Sequence, residues 1–195
     1  MGLKLNGATD GSIQLDVPAA IGSDVTGVLL PTAAGTLDRL ERAGNILQVV
    51  TASTSTEVSN STTTMADTGL SVNITPSSTT SKILVFVSQP YLTSRTNTST
   101  FASIILLRDS TQLTGHPKSS GGGFLLGYAG AGVTTATIRG VYTVTYLDSP
   151  ATTSQVTYKT QMAVNGAAQS ALVEVQENAT TDNATSYITA MEVAG

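Results

Sequence analysis

A chain of 195 residues has room for one sizeable domain and an accessory segment. Only 11% of it is charged, against roughly 25% in an average globular protein. The formal charge of −4 comes without a basic cluster, so nucleic acid is excluded as an expected partner. The absence of cysteine excludes a disulfide framework and any thiolate metal site. No stretch approaches a transmembrane span, and Met1 to Gly7 lacks the apolar run of a secretory signal, so membrane insertion is not expected.

Residues 1–45 are expected to form an extended anchor and stalk. Short apolar pieces alternate with glycine and proline, and Leu3, Leu5, Ile13, Leu15, Val17, Val28, Leu29 and Leu30 are the candidate anchoring residues. Each piece is too short to build its own core, so a thin stalk intertwined with two identical chains is the expected arrangement. Asn6-Gly7 and Asp10-Gly11 are tight-turn dipeptides between pieces. A short helix is expected over 37–43, with Thr36 as its cap, Leu37 and Leu40 on one face, and Gly44 ending it in the left-handed conformation.

From Ile46 to Gly195 the chain reads as an all-β head. Residues 51–64 are almost all Ser and Thr, which fits either a flexible linker or a polar edge strand. Leu70, Val72 and Ile74 alternate with Ser71, Asn73 and Thr75, the period-two signature of a half-buried strand. Pro76 to Ser81 breaks the pattern as a turn. Strands are then expected at Lys82–Val87, Ser103–Leu107, Val141–Tyr146, Val156–Thr160, Leu172–Val175 and Tyr187–Val193. Turns are expected at Arg108–Thr111, Gly115–Gly123, Asp148–Pro150, Asn165-Gly166 and Asn178–Thr185. About eight strands without helices imply a two-sheet antiparallel sandwich. That count allows both a jelly roll and an immunoglobulin-like order.

Catalytic apparatus is missing from this reading. His116 is the single histidine. It sits in an expected Gly-Pro loop with no second ligand paired to it, so it reads as an exposed loop residue rather than an axial metal ligand. No Gly-x-Ser-x-Gly elbow is present, and Gly121-Gly122-Gly123 leads to Phe124 rather than to the Lys of a phosphate loop. Asp109, Asp148, Glu174, Glu177, Asp182 and Glu192 include no pair that glycan cleavage demands. Tyr91 and Tyr128 are read as loop tyrosines able to stack on a sugar. No enzymatic activity, cofactor or metal is expected.

Thr68 to Ser78, followed by Ser81-Lys82-Ile83-Leu84-Val85, resembles a module of bacteriophage tail-fibre and virion structural proteins, especially those of cyanophages and marine phages. Leu107–Thr111, Tyr146–Pro150 and Ile188–Ala194 match further stretches in the family's order. Gly11–Pro18 and Leu30–Leu37 are similar to the stalk segments that precede such modules. The strand order is also similar to the trimeric jelly-roll heads of the tumour necrosis factor and complement superfamily. With few aromatics and no Trp here, an interface of Leu, Val and Tyr would replace the aromatic one of those heads.

The resemblance implies a homotrimeric jelly-roll head, residues 46–195, in a virion assembled in the host cytoplasm. It would be a non-enzymatic fibre or knob attaching to a host-surface glycan or protein. The N-terminal segment would bind other virion proteins, of the tail or the capsid. The alternative is a capsid decoration protein that stabilises the shell at threefold sites. Loops near 92–100, 148–152 and 178–185 are expected opposite the termini. They carry the candidate receptor contacts Arg95, Asn97, Asn178, Asp182 and Asn183.

Overall fold

The computed structural model describes residues 3–6, 12–15, 43–95, 102–114, 136–164, 171–179 and 182–195. The chain divides into two compact units, Met1–Asp38 and Arg39–Gly195.

In the first unit, β1 (Leu3–Asn6) pairs antiparallel with β2 (Ser12–Leu15). Leu3 stands opposite Leu15, and Leu5 opposite Ile13. These two apolar pieces thus pair with one another, and the tight-turn dipeptides Asn6-Gly7 and Asp10-Gly11 fall between their apolar residues. Val17, Val28, Leu29 and Leu30 lie outside the described residues, as does the helix expected over 37–43. Gly44, just after it, has φ of +91°, a conformation glycine adopts without steric penalty.

The second unit is built from β3 (Ile46–Thr54), β4 (Val58–Asn60), β5 (Ala66–Ile74), β6 (Lys82–Arg95), β7 (Ala102–Arg108), β8 (Thr111–Thr114), β9 (Ala136–Asp148), β10 (Val156–Val164), β11 (Leu172–Val175), the short pair β12 (Asn178–Ala179) and β13 (Asp182–Asn183), and β14 (Ser186–Val193). One sheet has the order β5-β10-β7-β8. In the other, β14 and β11 follow one another along the same side of β6, β9 lies along its opposite side, and β3 and β4 pair outside β14 and β11. Counting β3 with β4, and β11 with β14, as single interrupted strands leaves eight. The first, eighth, third and sixth form one sheet, and the second, seventh, fourth and fifth the other. This is a jelly roll; a constant-type immunoglobulin sandwich would divide seven strands four and three. Ser/Thr-rich β3 takes the edge position, where a hydroxyl surface keeps strand propensity without charge.

Period-two alternation directs one set of side chains from each sheet into a shared core. Leu70, Val72 and Ile74 from β5, Ile104 and Leu106 from β7, and Val156, Tyr158 and Met162 from β10 meet Ile83, Val85 and Val87 from β6 and Ile188 and Ala190 from β14. In β7 every residue from Ala102 to Leu107 is buried, so this strand is covered on both faces.

Three polar devices cross this core. At one end, Asp148 accepts hydrogen bonds from the Tyr158 hydroxyl at 2.7 Å and from Arg108 Nη1 at 2.6 Å. Burial, and then the adjoining Asp148 carboxylate, push the Tyr158 hydroxyl well above its ordinary range, so it remains a donor. In the middle, Thr68 and Thr160 share a hydroxyl bond and Thr160 donates to Gln89 Oε1 at 2.9 Å. Gln89 Nε2 donates on to the Gln176 side-chain oxygen at 2.9 Å, which also accepts from Ser186 Oγ, while the Gln176 amide nitrogen donates to the carbonyls of Val175 and Thr56. Gln176 has φ of +54°, which turns the chain out of β11 before β14 resumes the same line.

The third device is Glu192, buried on β14. It accepts from the Ser77 amide at 2.7 Å, from the Ser77 hydroxyl at 2.6 Å, and from Gln48 Nε2. Burial alone would raise its pKa, but these donors outweigh burial and hold it below the usual carboxylate value of 4.5. A depressed carboxylate stabilises the fold fully above its unfolded value, and that stability is lost as pH falls through the folded value. Stability is therefore expected to decline below about pH 4.5, and Glu192→Gln, which turns an amide donor toward donors, is expected to cost roughly 2 kcal/mol at pH 7. Urea unfolding at pH 7 and pH 3 checks both: the gap between wild type and variant should narrow at the lower pH.

Candidate functional site

The large exposed apolar side chains among the described residues all lie on strands of the six-stranded sheet. Register builds the outer face of that sheet row by row. Val49, Met191, Leu84 and Leu147 stand side by side across β3, β14, β6 and β9. The next row is Thr51, Thr189, Phe86 and Thr145, and the one after is Ser53, Tyr187, Ser88 and Thr143. Pro90 and Val141 extend the face. None of these side chains is charged.

Large apolar groups on this face are open to solvent. Tyr187 is 56% exposed, and Val141, Val49 and Leu147 are half exposed, with Phe86 at 38%. Tyr187 separates two shallow hollows. One, of about 340 Å3, lies toward β6 and β9 and is lined by Phe86, Ser88, Thr143, Thr145 and Thr189. The other, of about 360 Å3, lies toward β3 and is lined by Thr51, Ser53 and Thr189.

Charge is confined to the two ends of the face. Lys82 lies at one end, opposite Val193. At the other, Arg139 forms a two-pronged ion pair with Glu177 at 2.7 and 2.6 Å. The guanidinium bonds hold Glu177 below its ordinary range. Burial, and then the Glu57 and Glu177 carboxylates, raise neighbouring Glu174. The opposite sheet differs: Asp67 on its outer side bonds both Lys159, at 3.0 Å, and Gln161, at 2.8 Å. Among the described residues, no three His, Cys, Asp or Glu side chains are grouped to hold a metal ion.

The candidate receptor residues fall away from this face's apolar rows. Arg95 ends β6, with its backbone opposite Ala136. Asn178 pairs with Asn183, and Ala179 with Asp182, in the short excursion between β11 and β14. Asn97 lies outside the described residues, as do His116 and Tyr128.

Two placements expected from sequence are corrected. The 148–152 turn lies at the same end as the C-terminus, because Ile83 pairs with Asp148, its neighbour Lys82 pairs with Val193, and Ala194 bonds Gly44 and Asn45. Tyr91 is not a loop residue but part of β6, half-buried against the core. Its ring end lies where a Cβ on Gly140 would stand, 2.6 Å from the Tyr91 hydroxyl, so a larger residue at 140 would make the Tyr91 ring shift.

Tyr187, Phe86, Leu84, Leu147, Val141 and Val49 were not singled out from the sequence as surface residues. The available signal was Ile83-Leu84-Val85-Phe86-Val87, apolar at both parities, a pattern of strands covered on both faces.

No protein-family model matches the chain, and no curated protein matches it. Among solved structures, it is similar to the infectious bursal disease virus VP2 subviral particle, with a TM-score of 0.31 and 15% identity over 98% of this chain and 46% of that one. The structure of the Gt strain of infectious bursal disease virus gives a TM-score of 0.20 and 16% identity over 97% and 48% of the two chains. The chain thus spans under half the length of both. The jelly-roll assignment stands on strand pairing, not on these likenesses.

Proposed function

We propose that this chain is a non-enzymatic virion structural protein, a homotrimeric fibre or knob that mediates attachment to a host surface. The observation that carries the homotrimeric part of the reading is the uncharged, aromatic- and hydroxyl-bearing outer face of the six-stranded sheet, a surface that copies of the chain can share. Such a face offers broad packing contact and no arrangement for bond-making chemistry. The phage-like stretches from Thr68 to Val85 and at Ile188–Ala194 support a virion setting. The N-terminal segment would join the head to other virion proteins, and several linked heads would multiply a weak individual contact with a host glycan or protein.

Immunogold labelling of intact virions with antibodies to the head tests this. Label at tail or vertex fibres supports attachment. Label spread over the shell replaces attachment with capsid decoration, and purified virions without label contradict a virion role.

A further inference from the structure

We infer that the open face of the six-stranded sheet is where copies of this chain meet, with Tyr187 of one copy seated in a hollow beside Tyr187 of the next. The inference rests on the homo-oligomeric part of the proposed function and not on the virion setting.

Three observations select a second copy as the occupant. The first is pattern. β6 carries apolar groups at both parities over Ile83–Val87, yet in one chain Phe86 is open while Val85 and Val87 are buried. A strand with this pattern is normally covered on both faces, and large exposed apolar patches mark interaction sites.

The second is charge. Copies of one side chain meet near a symmetry axis, where a charge would face its own kind, and the rows from Val49 to Val141 carry none. Lys82 and the Glu57–Glu174–Glu177 group sit beyond those rows, at opposite ends.

The third is shape and size. Four strands about 4.8 Å apart, over about ten residues at about 3.3 Å each, span roughly 600 Å2. In a ring of three each face is shared between two neighbours, so three faces bury on the order of 1,800 Å2 in all, about 600 Å2 per contact, and the three contacts hold the assembly together. Aromatic anchors that fill pockets near the centre of an interface carry most of its energy, and Tyr187 is such an anchor with a hollow on either side. Two hollows flanking one ridge suit a closed ring, in which each copy touches two neighbours.

The full-length chain tests this by light-scattering mass across a dilution series. Wild type should hold a trimer mass at micromolar concentration. Tyr187→Asp and Leu147→Lys, at opposite sides of the face, should each weaken association at least 100-fold while retaining the β circular-dichroism spectrum. Ser71→Asp, on the exposed side of β5 in the other sheet, should change nothing. A monomeric wild type overturns the inference, as does an oligomer untouched by both face variants.

Should the charged variants fail to fold, a photoreactive phenylalanine analogue at position 187 gives an independent reading. Crosslinks to residues 51–53 or 143–145 of a second copy support the inference. Crosslinks that join copies only through other surfaces, or that reach only a different protein or a glycan, overturn it. A chain that labels virions but is monomeric would remove this inference and leave the virion reading in place. Copies joined through this face in a chain absent from virions would do the reverse.

Discussion

Asp148→Ala is expected to lower the unfolding free energy by about 3 kcal/mol. Asp148 closes β9 in one sheet and is bonded to Arg108 at the end of β7 and Tyr158 on β10 in the other. Its carboxylate therefore joins the two sheets at the end where the C-terminus lies. Removal leaves the Tyr158 hydroxyl buried without its acceptor, and deprives the Arg108 cation, whose side chain is only 22% exposed, of its anion. A buried polar group left unmatched carries its full desolvation penalty, and here two groups are stranded together. Tyr158→Phe, which removes one donor and leaves the Arg108–Asp148 pair, is expected to cost about 1 kcal/mol. Urea denaturation of the three proteins measures both differences. A loss below about 1 kcal/mol for Asp148→Ala would contradict the bracing role.

Gln89→Leu is expected to destabilise the head by about 2–3 kcal/mol although leucine is apolar and of similar size. Gln89 is fully buried and is the middle of the chain of bonds from Thr68 and Thr160 in one sheet to Gln176 and Ser186 in the other. Leucine leaves the Thr160 hydroxyl without its acceptor and takes one donor from Gln176. Removing both members of the Thr160–Gln89 bond should be milder than the sum of the parts, because neither member of that bond then faces a missing partner, although Thr68 still loses Thr160 and Gln176 still loses Gln89. The double variant Gln89→Leu with Thr160→Val is therefore expected to recover about 1 kcal/mol relative to additivity. A double-mutant cycle by chemical denaturation measures the coupling, and strict additivity would show that the two side chains do not act as a unit.

The strands were legible because alternation is local. Leu70, Val72 and Ile74 announced β5, and the turn at Arg108–Thr111 lies where expected, with Asp109 in the left-handed region at φ of +52°. The jelly-roll order was not legible. It depends on pairings such as Lys82 with Val193 and Ile83 with Asp148, which join residues far apart in sequence and leave no trace in local periodicity. The same limit misplaced the 148–152 turn: hydropathy shows that a strand ends there, not which neighbour it ends beside. Residues 51–54 were ambiguous because Ser and Thr suit both linkers and edge strands; pairing of Thr51 with Thr189 and of Ser53 with Tyr187 settles them as strand.

The candidate site was partly visible. The continuous apolar run of β6 was on the page, and so was the low share of charged residues. What the sequence lacked was the alignment of rows. Val49, Leu84, Leu147 and Met191 come from four separate segments, and only cross-strand register sets them side by side. Tyr187 read as one residue of a strand until its neighbours on β3, β6 and β9 were known to be serines and threonines, too small to hide it.

The central claim, a virion structural protein, is tested most directly by the copy number of this chain relative to the major capsid protein in purified virions, measured by quantitative mass spectrometry. The proposed attachment fibre requires a fixed ratio in multiples of three chains, at a level at least an order of magnitude below one trimer per shell threefold site. A ratio near one trimer per threefold site would contradict attachment in favour of decoration, and a chain that washes away from purified particles would contradict the account altogether.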